Sequence, residues 1–316
     1  MLQIFGLIAP LFALIALGYI SGKLGKIPVQ GLAWLNFFVV YVSLPALFFL
    51  LLSRTPIEQF FHFDFLVRTT LATFVIFLAC FLIARLLRHE STKVSTIQGF
   101  SGAYGNIGYL GPPIAIAAFG PEAAVPVALI FCLDNTMHFT VAPLLMAIGN
   151  DEKSGRLRLA ANIVHKIATH PFIIATVAGM LGAWFQYVPP VPIQTMLEML
   201  SSAAAPCALF AMGVTAAMRP LKRIPVELVY LVPVKLIIHP LLMYLMVSNL
   251  AHVPAHWLYS AVLLAALPSA TNVFVLAQQY EVWVERALST VIISTLLSMV
   301  TVTTVIYLAK NSSLNS

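Results

Sequence analysis

An apolar run from about 96 to 119 is interrupted near its middle by Tyr104-Gly-Asn-Ile-Gly-Tyr-Leu-Gly-Pro-Pro113. The run is long enough to cross a bilayer, which takes about 20 apolar residues in a helix. Three glycines, an asparagine and a Pro-Pro pair work against one continuous helix there. Proline lacks the N–H that a helix needs and clashes with the preceding turn, and Pro112 pushes Gly111 away from helical geometry. The sequence therefore predicts a helix that breaks within 105–111 and restarts at Pro112, since proline suits a first helical position. In hydrocarbon each freed backbone group costs several kcal/mol. A break at that depth must be packed in protein or line a watery cavity. The same pattern recurs near the C-terminus, where Leu267-Pro-Ser-Ala-Thr-Asn272 interrupts an apolar run from about 257 to 278. Two interrupted spans in corresponding halves of a membrane chain point to a transporter binding site; two kinked helices without function are the plainer alternative.

Composition bears this out. Hydrophobic residues make up 60% and charged residues 9% of the 316 positions, more apolar surface than a soluble chain can hide. The chain reads as an all-α polytopic membrane protein with ten spans of roughly bilayer length, near 4–22, 31–52, 66–87, 96–119, 123–148, 162–184, 194–217, 226–250, 257–279 and 284–309. The N-terminal Met-Leu-Gln-Ile-Phe has no basic leader region, so a cleaved signal is not expected. Cys80, Cys132 and Cys207 all fall in apolar spans, which argues against a disulfide framework or metal ligation. The formal charge of +6 does not imply nucleic acid, because its placement is one-sided. Lys23, Lys26, Arg85, Arg88, Lys93, Lys153, Arg156, Arg158, Arg219, Lys222, Arg223 and Arg286 fall on one side of a ten-span chain, leaving mainly Arg54, Arg68 and Lys310 on the other. The basic side is then cytoplasmic, touching anionic headgroups, and both termini lie outside the cytoplasmic membrane. Arg54 and Glu58, at i, i+4 spacing, read as a solvated loop pair, and Glu198 as interfacial.

The halves correspond. Pro45-Ala-Leu-Phe48 in the second span answers Pro206-Cys-Ala-Leu-Phe210 in the seventh, and the broken fourth span answers the broken ninth. Five spans per half is an odd number, so the halves enter the membrane in opposite orientations as a 5+5 inverted repeat. The repeats are 1–148 and 162–310, with a cytoplasmic linker at 149–161 and a tail at 311–316. Asn106-Ile-Gly-Tyr-Leu-Gly-Pro-Pro113 ahead of Gly120, together with Pro268-Ser-Ala-Thr-Asn272 ahead of Ala277 and Tyr280, resembles the auxin efflux carrier family, most closely its short bacterial members. The resemblance runs the length of the chain, although the 149–161 linker replaces the large cytoplasmic loop of long plant members. It implies two broken helices crossing at their breaks, a scaffold of spans 1, 2, 6 and 7, and a transport unit from the rest. It also implies elevator-like movement, a homodimer and carboxylate substrates such as malate and malonate.

Asn106 and Asn272 lead the candidate substrate contacts. An asparagine offers both donor and acceptor, able to cap a half-helix or to hold a carboxylate, and free N–H groups at helix starts suit an anion. Ser269 and Thr271 could act likewise, while Gly105, Gly108 and Gly111 permit unusual backbone angles and close crossing, and Pro112, a further candidate contact, restarts the helix. All of them could instead only satisfy the broken backbone. Asp134 lies about eleven residues into the fifth span and Lys235 about nine into the eighth, near mid-membrane by helical rise. An ionisable group there costs at least ~2.5–3.5 kcal/mol, so each is expected to face the interior with a partner. Asp134 is a candidate carrier of a coupling proton, or the ion-pair partner of Lys235. Lys235 either attracts the substrate anion or holds a helix end. His138 and His239 each follow a charge by one turn, sharing its proton or packing beside it. No phosphate loop, metal spacing or soluble domain suggests an enzyme, and no cofactor is implied. The resulting expectation is a secondary carrier of small organic anions, driven by protons or sodium or running downhill. A sodium-coupled symporter of the bile-acid type and a membrane anion sensor are the alternatives.

Overall fold

The computed structural model describes residues 2–25, 29–148, 156–218, 224–250 and 253–313. Lys26, Lys153, Arg219, Lys222, Arg223, the linker as far as 155 and the last three residues of the tail lie outside that set. Among the described residues the fold is helical, without strands: α1 (Leu2–Leu24), α2 (Val29–Phe38), α3 (Leu44–Ser53), α4 (Phe63–Leu82), α5 (Thr92–Ala103), α6 (Ile107–Phe119), α7 (Ala124–Ile148), α8 (Arg156–Ala168), α9 (Pro171–Trp184), α10 (Val191–Met218), α11 (Leu228–Pro233), α12 (His239–Val247), α13 (Ala255–Ala266), α14 (Thr271–Gln279) and α15 (Val284–Ser313). Wider π-helical turns at Val39–Ser43 and Val234–Ile238 join α2 to α3 and α11 to α12, and another, Ile83–Leu87, extends α4. Six described segments are long and apolar enough to cross a membrane: Gly31–Ser53, Phe63–Leu87, Pro121–Ile148, Val191–Met218, Leu228–Val247 and Val284–Asn311. Phe12–Leu24, Ile107–Phe119, Pro171–Trp184 and Ala255–Ala266 are shorter apolar helices.

Three expectations need correction. The first broken helix restarts at Ile107, and Pro112 and Pro113 lie inside α6. The break is set by Tyr104–Asn106, whose backbone finds partners in another segment; the two prolines remove only N–H groups within the helix they join. The span expected at 162–184 is divided, because Pro171 opens α9 and holds His170 in an extended conformation (φ −69°, ψ 125°). Arg54 does not pair with Glu58. The helix ends at Ser53, the i, i+4 relation is lost, and Arg54 reaches Glu198 at 2.9 Å instead.

The chain forms two compact units. The first comprises Met1–His62, Gly108–Cys132 and Thr169–Pro220. In it α1 lies against α10 at backbone distance: a Cβ on Gly18 would fall 2.2 Å from the Phe210 carbonyl oxygen, and one on Gly213 2.0 Å from that of Ile15. Small residues are what allow apolar helices to approach so closely in lipid. The rings of Phe48 and Phe131 meet Phe172 at 4.9 and 4.3 Å.

The second unit comprises Phe63–Ile107, Leu133–Ala168 and Leu221–Ser316. Its core contains Phe77, Ile97, Phe100, Tyr104, Met137, Met146, Val273, Ala277 and Ala287. Helix α5 is capped at its start by Ser91, whose hydroxyl accepts from the Val94 N–H at 3.3 Å. Near this end the buried carboxylate of Glu227 takes Arg88 at 3.0 Å and Arg286 at 2.7 Å. That contact ties the end of the α4 segment and the starts of α11 and α15 together.

Candidate functional site

Both breaks lie in the second unit and pair with each other. Tyr104, extended at φ −79° and ψ 109°, ends α5, and Leu267, extended at φ −65° and ψ 153°, ends α13. Gly105 and Ser269 form an isolated antiparallel bridge. The Asn106 N–H donates to the Pro268 carbonyl at 2.8 Å, and the Ala270 N–H donates to the Tyr104 carbonyl at 2.9 Å. Side chains take up the carbonyls that the broken helices leave. Ser269 Oγ donates to Ser101 O at 2.5 Å, Lys235 Nζ to Ala265 O at 2.6 Å, and Thr301 Oγ1 to Ala266 O at 3.2 Å. The Ser269 N–H donates to Ser294 Oγ at 3.1 Å. Backbone that could not survive bare in lipid is thus supplied with partners.

A buried polar cluster adjoins the pairing. Lys235 is fully buried and sits on the π-helical turn between α11 and α12, a kind of distortion often found at functional sites. Its ammonium also meets His239 Nδ1 at 3.2 Å. His239 Nε2 lies 3.5 Å from Thr73 Oγ1. Asp134, 3% exposed, feels the charge of Lys235, while its Oδ1 has no hydrogen-bond partner. The Tyr104 hydroxyl donates to Asn135 Oδ1 at 2.6 Å. His138 stacks on the Tyr104 ring, centroids 4.7 Å apart. No group of three or more metal-ligating side chains occurs among the described residues.

The second unit thus gathers Asn106, Ser269, Thr271, Asn272, Asp134, His138 and Lys235, whereas Gly108, Gly111 and Pro112 belong to the first. Asn106 and Ser269 are buried and Asn272 is exposed. Asn272 does not cap its half-helix: α14 starts at Thr271, its N-cap is Ala270, and that residue supplies no side-chain bond. Nor do Gly105, Gly108 and Gly111 use left-handed backbone angles; among the described residues only Gly120 does so as a glycine. What Gly105 supplies is space, since a Cβ there would lie 3.0 Å from Leu264 O and 3.4 Å from Lys235 Nζ. Thr73, Asn135, Ser101, Ser294 and Thr301 escaped the reading of the sequence. Hydroxyls in apolar helices commonly bond their own i−4 carbonyl, as Thr140 and Thr215 do here, so their type alone carries no signal.

Residues 3–307 match the family described as membrane transport protein (Mem_trans). The chain belongs to that family. This is the auxin efflux carrier family that the two interrupted motifs resemble. A Rhizobium meliloti protein named "Putative malonate transporter" is 52% identical over 314 residues, covering 99% of this chain and 98% of its own length. An uncharacterized transporter of Methanothermobacter thermautotrophicus is 27% identical over 292 residues, with 91% and 92% covered. The uncharacterized transporter YfdV of Escherichia coli K12 is 24% identical over 315 residues, with 96% and 97% covered. As a Mem_trans member the chain is a membrane transporter and not an enzyme.

Proposed function

We propose that the protein is a secondary carrier of small organic anions, with dicarboxylates of the malonate class as its substrates, in the cytoplasmic membrane. The observation that carries this reading is the pairing of two helix breaks at Gly105 and Ser269 inside a Mem_trans chain. Broken backbone deep in apolar sequence is the usual mark of a transporter binding site. The helix that opens at Thr271 has an N-cap without a side-chain bond, and first-turn N–H groups favour a carboxylate. Asn106, Ser269, Thr271 and Asn272 would hold the anion; Gly108, Gly111 and Pro112 lie on the helix that follows the first break. Asp134, His138 and Lys235 would balance charge. The substrate class draws support from the 52% identical relative and its printed name.

In the same reading the chain crosses the membrane ten times as a 5+5 inverted repeat of 1–148 and 162–310, with both termini outside. Its half-helices cross at their breaks, and it works as a homodimer. An elevator-like division into scaffold and transport parts draws support from the grouping of α1, α2, α3, α9 and α10 in one unit and of the paired breaks in the other, although the first unit also takes 108–132 from the expected transport part.

The test is purified protein screened for thermal stabilisation by mono- and dicarboxylates, followed by counterflow of the ligands found in proteoliposomes. Ligands that bind only the folded state raise apparent stability by mass action. Stabilisation and counterflow by malonate and its neighbours are expected. Stabilisation with no flux would make the protein a sensor instead.

A further inference from the structure

In carriers built on broken helices, unwound carbonyls and half-helix C-termini are where a coupling cation binds. These groups have no intrahelical partner and carry the negative end of the helix dipole. Here that place holds an ammonium. Lys235 Nζ donates to Ala265 O at 2.6 Å, one residue before the end of α13. It also lies 3.4 Å from where a Gly105 Cβ would sit, a point only 3.0 Å from Leu264 O. The buried carboxylate of Asp134 lies within reach of its charge and keeps one oxygen without a hydrogen bond. A main-chain carbonyl at a half-helix end, with a buried carboxylate near enough for its charge to be felt, is the kind of oxygen-rich place that attracts a small hard cation. Snorkelling does not explain the lysine, because a snorkelling side chain brings its head to water and Lys235 is 0% exposed.

We propose that Lys235 is the resident cation of this carrier: its ammonium takes the position at the end of Ala255–Ala266 where a coupling Na⁺ would otherwise bind. Transport then proceeds without Na⁺, and removing the ammonium opens a site for a small monovalent cation. This rests on reading the paired breaks as the transport site. The side chain is held by Ala265 O and His239 Nδ1, so the positive charge remains beside the Gly105–Ser269 bridge with no ion taken from solution.

The test compares thermal unfolding midpoints of the purified protein in sodium chloride and in N-methylglucamine chloride at equal ionic strength. The native protein is expected to show the same midpoint in both. Lys235→Ala is expected to be less stable in N-methylglucamine and to regain more than about 2 °C on adding Na⁺ or methylammonium. The doubly neutral Lys235→Met/Asp134→Asn protein is expected to fold and to ignore both ions. A Na⁺-specific rise in the native protein would overturn the proposal, and so would a Lys235→Ala protein that ignores both ions or a double variant that responds to them. Malonate uptake by native protein in proteoliposomes, with and without Na⁺, is the second readout; a requirement for Na⁺ would also overturn it. Absence of any malonate flux would count against the carrier reading alone, since the stability comparison needs no substrate.

Discussion

At the scale of single residues, the opposite buried charges of Asp134 and Lys235 make opposite predictions for single and double changes. Asp134→Asn leaves a buried ammonium without the nearby opposite charge, which destabilises the fold. The expected result is a clear drop in thermal midpoint, reversed in Asp134→Asn/Lys235→Met, with neither protein transporting. A well-folded Asp134→Asn protein with native transport would remove Asp134 from the mechanism. Gly105→Ala is the second residue test. Its Cβ would meet a backbone oxygen at 3.0 Å, which can yield only if the bridge opens. A destabilisation of about 1–3 kcal/mol is expected. Proline and glycine types announced the breaks in the sequence, but the partners of those breaks were not legible. Which serine or threonine reaches across to Ser101, Ala266 or Ser269, and which bonds its own helix, depends on neighbours brought together by folding.

At the scale of elements, the long spans were readable because length and apolarity decide them: the expected 66–87 and 284–309 correspond to Phe63–Leu87 and Val284–Asn311. The errors came where local chemistry was overruled. Pro112 was expected to start a helix, yet hydrogen bonds between the break segments place the start at Ile107. The Arg88–Glu227–Arg286 contact was also invisible, since its members are separated along the chain by 139 and 59 residues. Glu227 is 2% exposed, but its arginines are 33% and 53% exposed, so water screens much of the attraction. Glu227→Gln should therefore lower stability by about 1–2 kcal/mol, below the range for a fully buried pair. Hydrogen exchange should quicken at the ends of α11 and α15 and stay unchanged at the breaks. Quickening at the breaks alone would show that the clasp acts elsewhere.

At the scale of the whole molecule, the one-sided placement of lysine and arginine predicts the orientation. A cysteine introduced at Ser313 should react with an impermeant thiol reagent added outside intact cells, and one at Ser154 should not; the reverse pattern would invert the topology. The central claim is that the paired breaks hold a carboxylate and carry it across. Malonate counterflow in proteoliposomes tests that most directly, with native protein beside Asn106→Ala and Asn272→Ala. A hydrogen bond to a charged ligand contributes about 1.5–3 kcal/mol, so each variant should show apparent malonate affinity weaker by roughly tenfold or more. Both should still insert and purify as the native protein does. Native counterflow with unchanged malonate affinity in both variants would contradict the assignment of the site to the breaks.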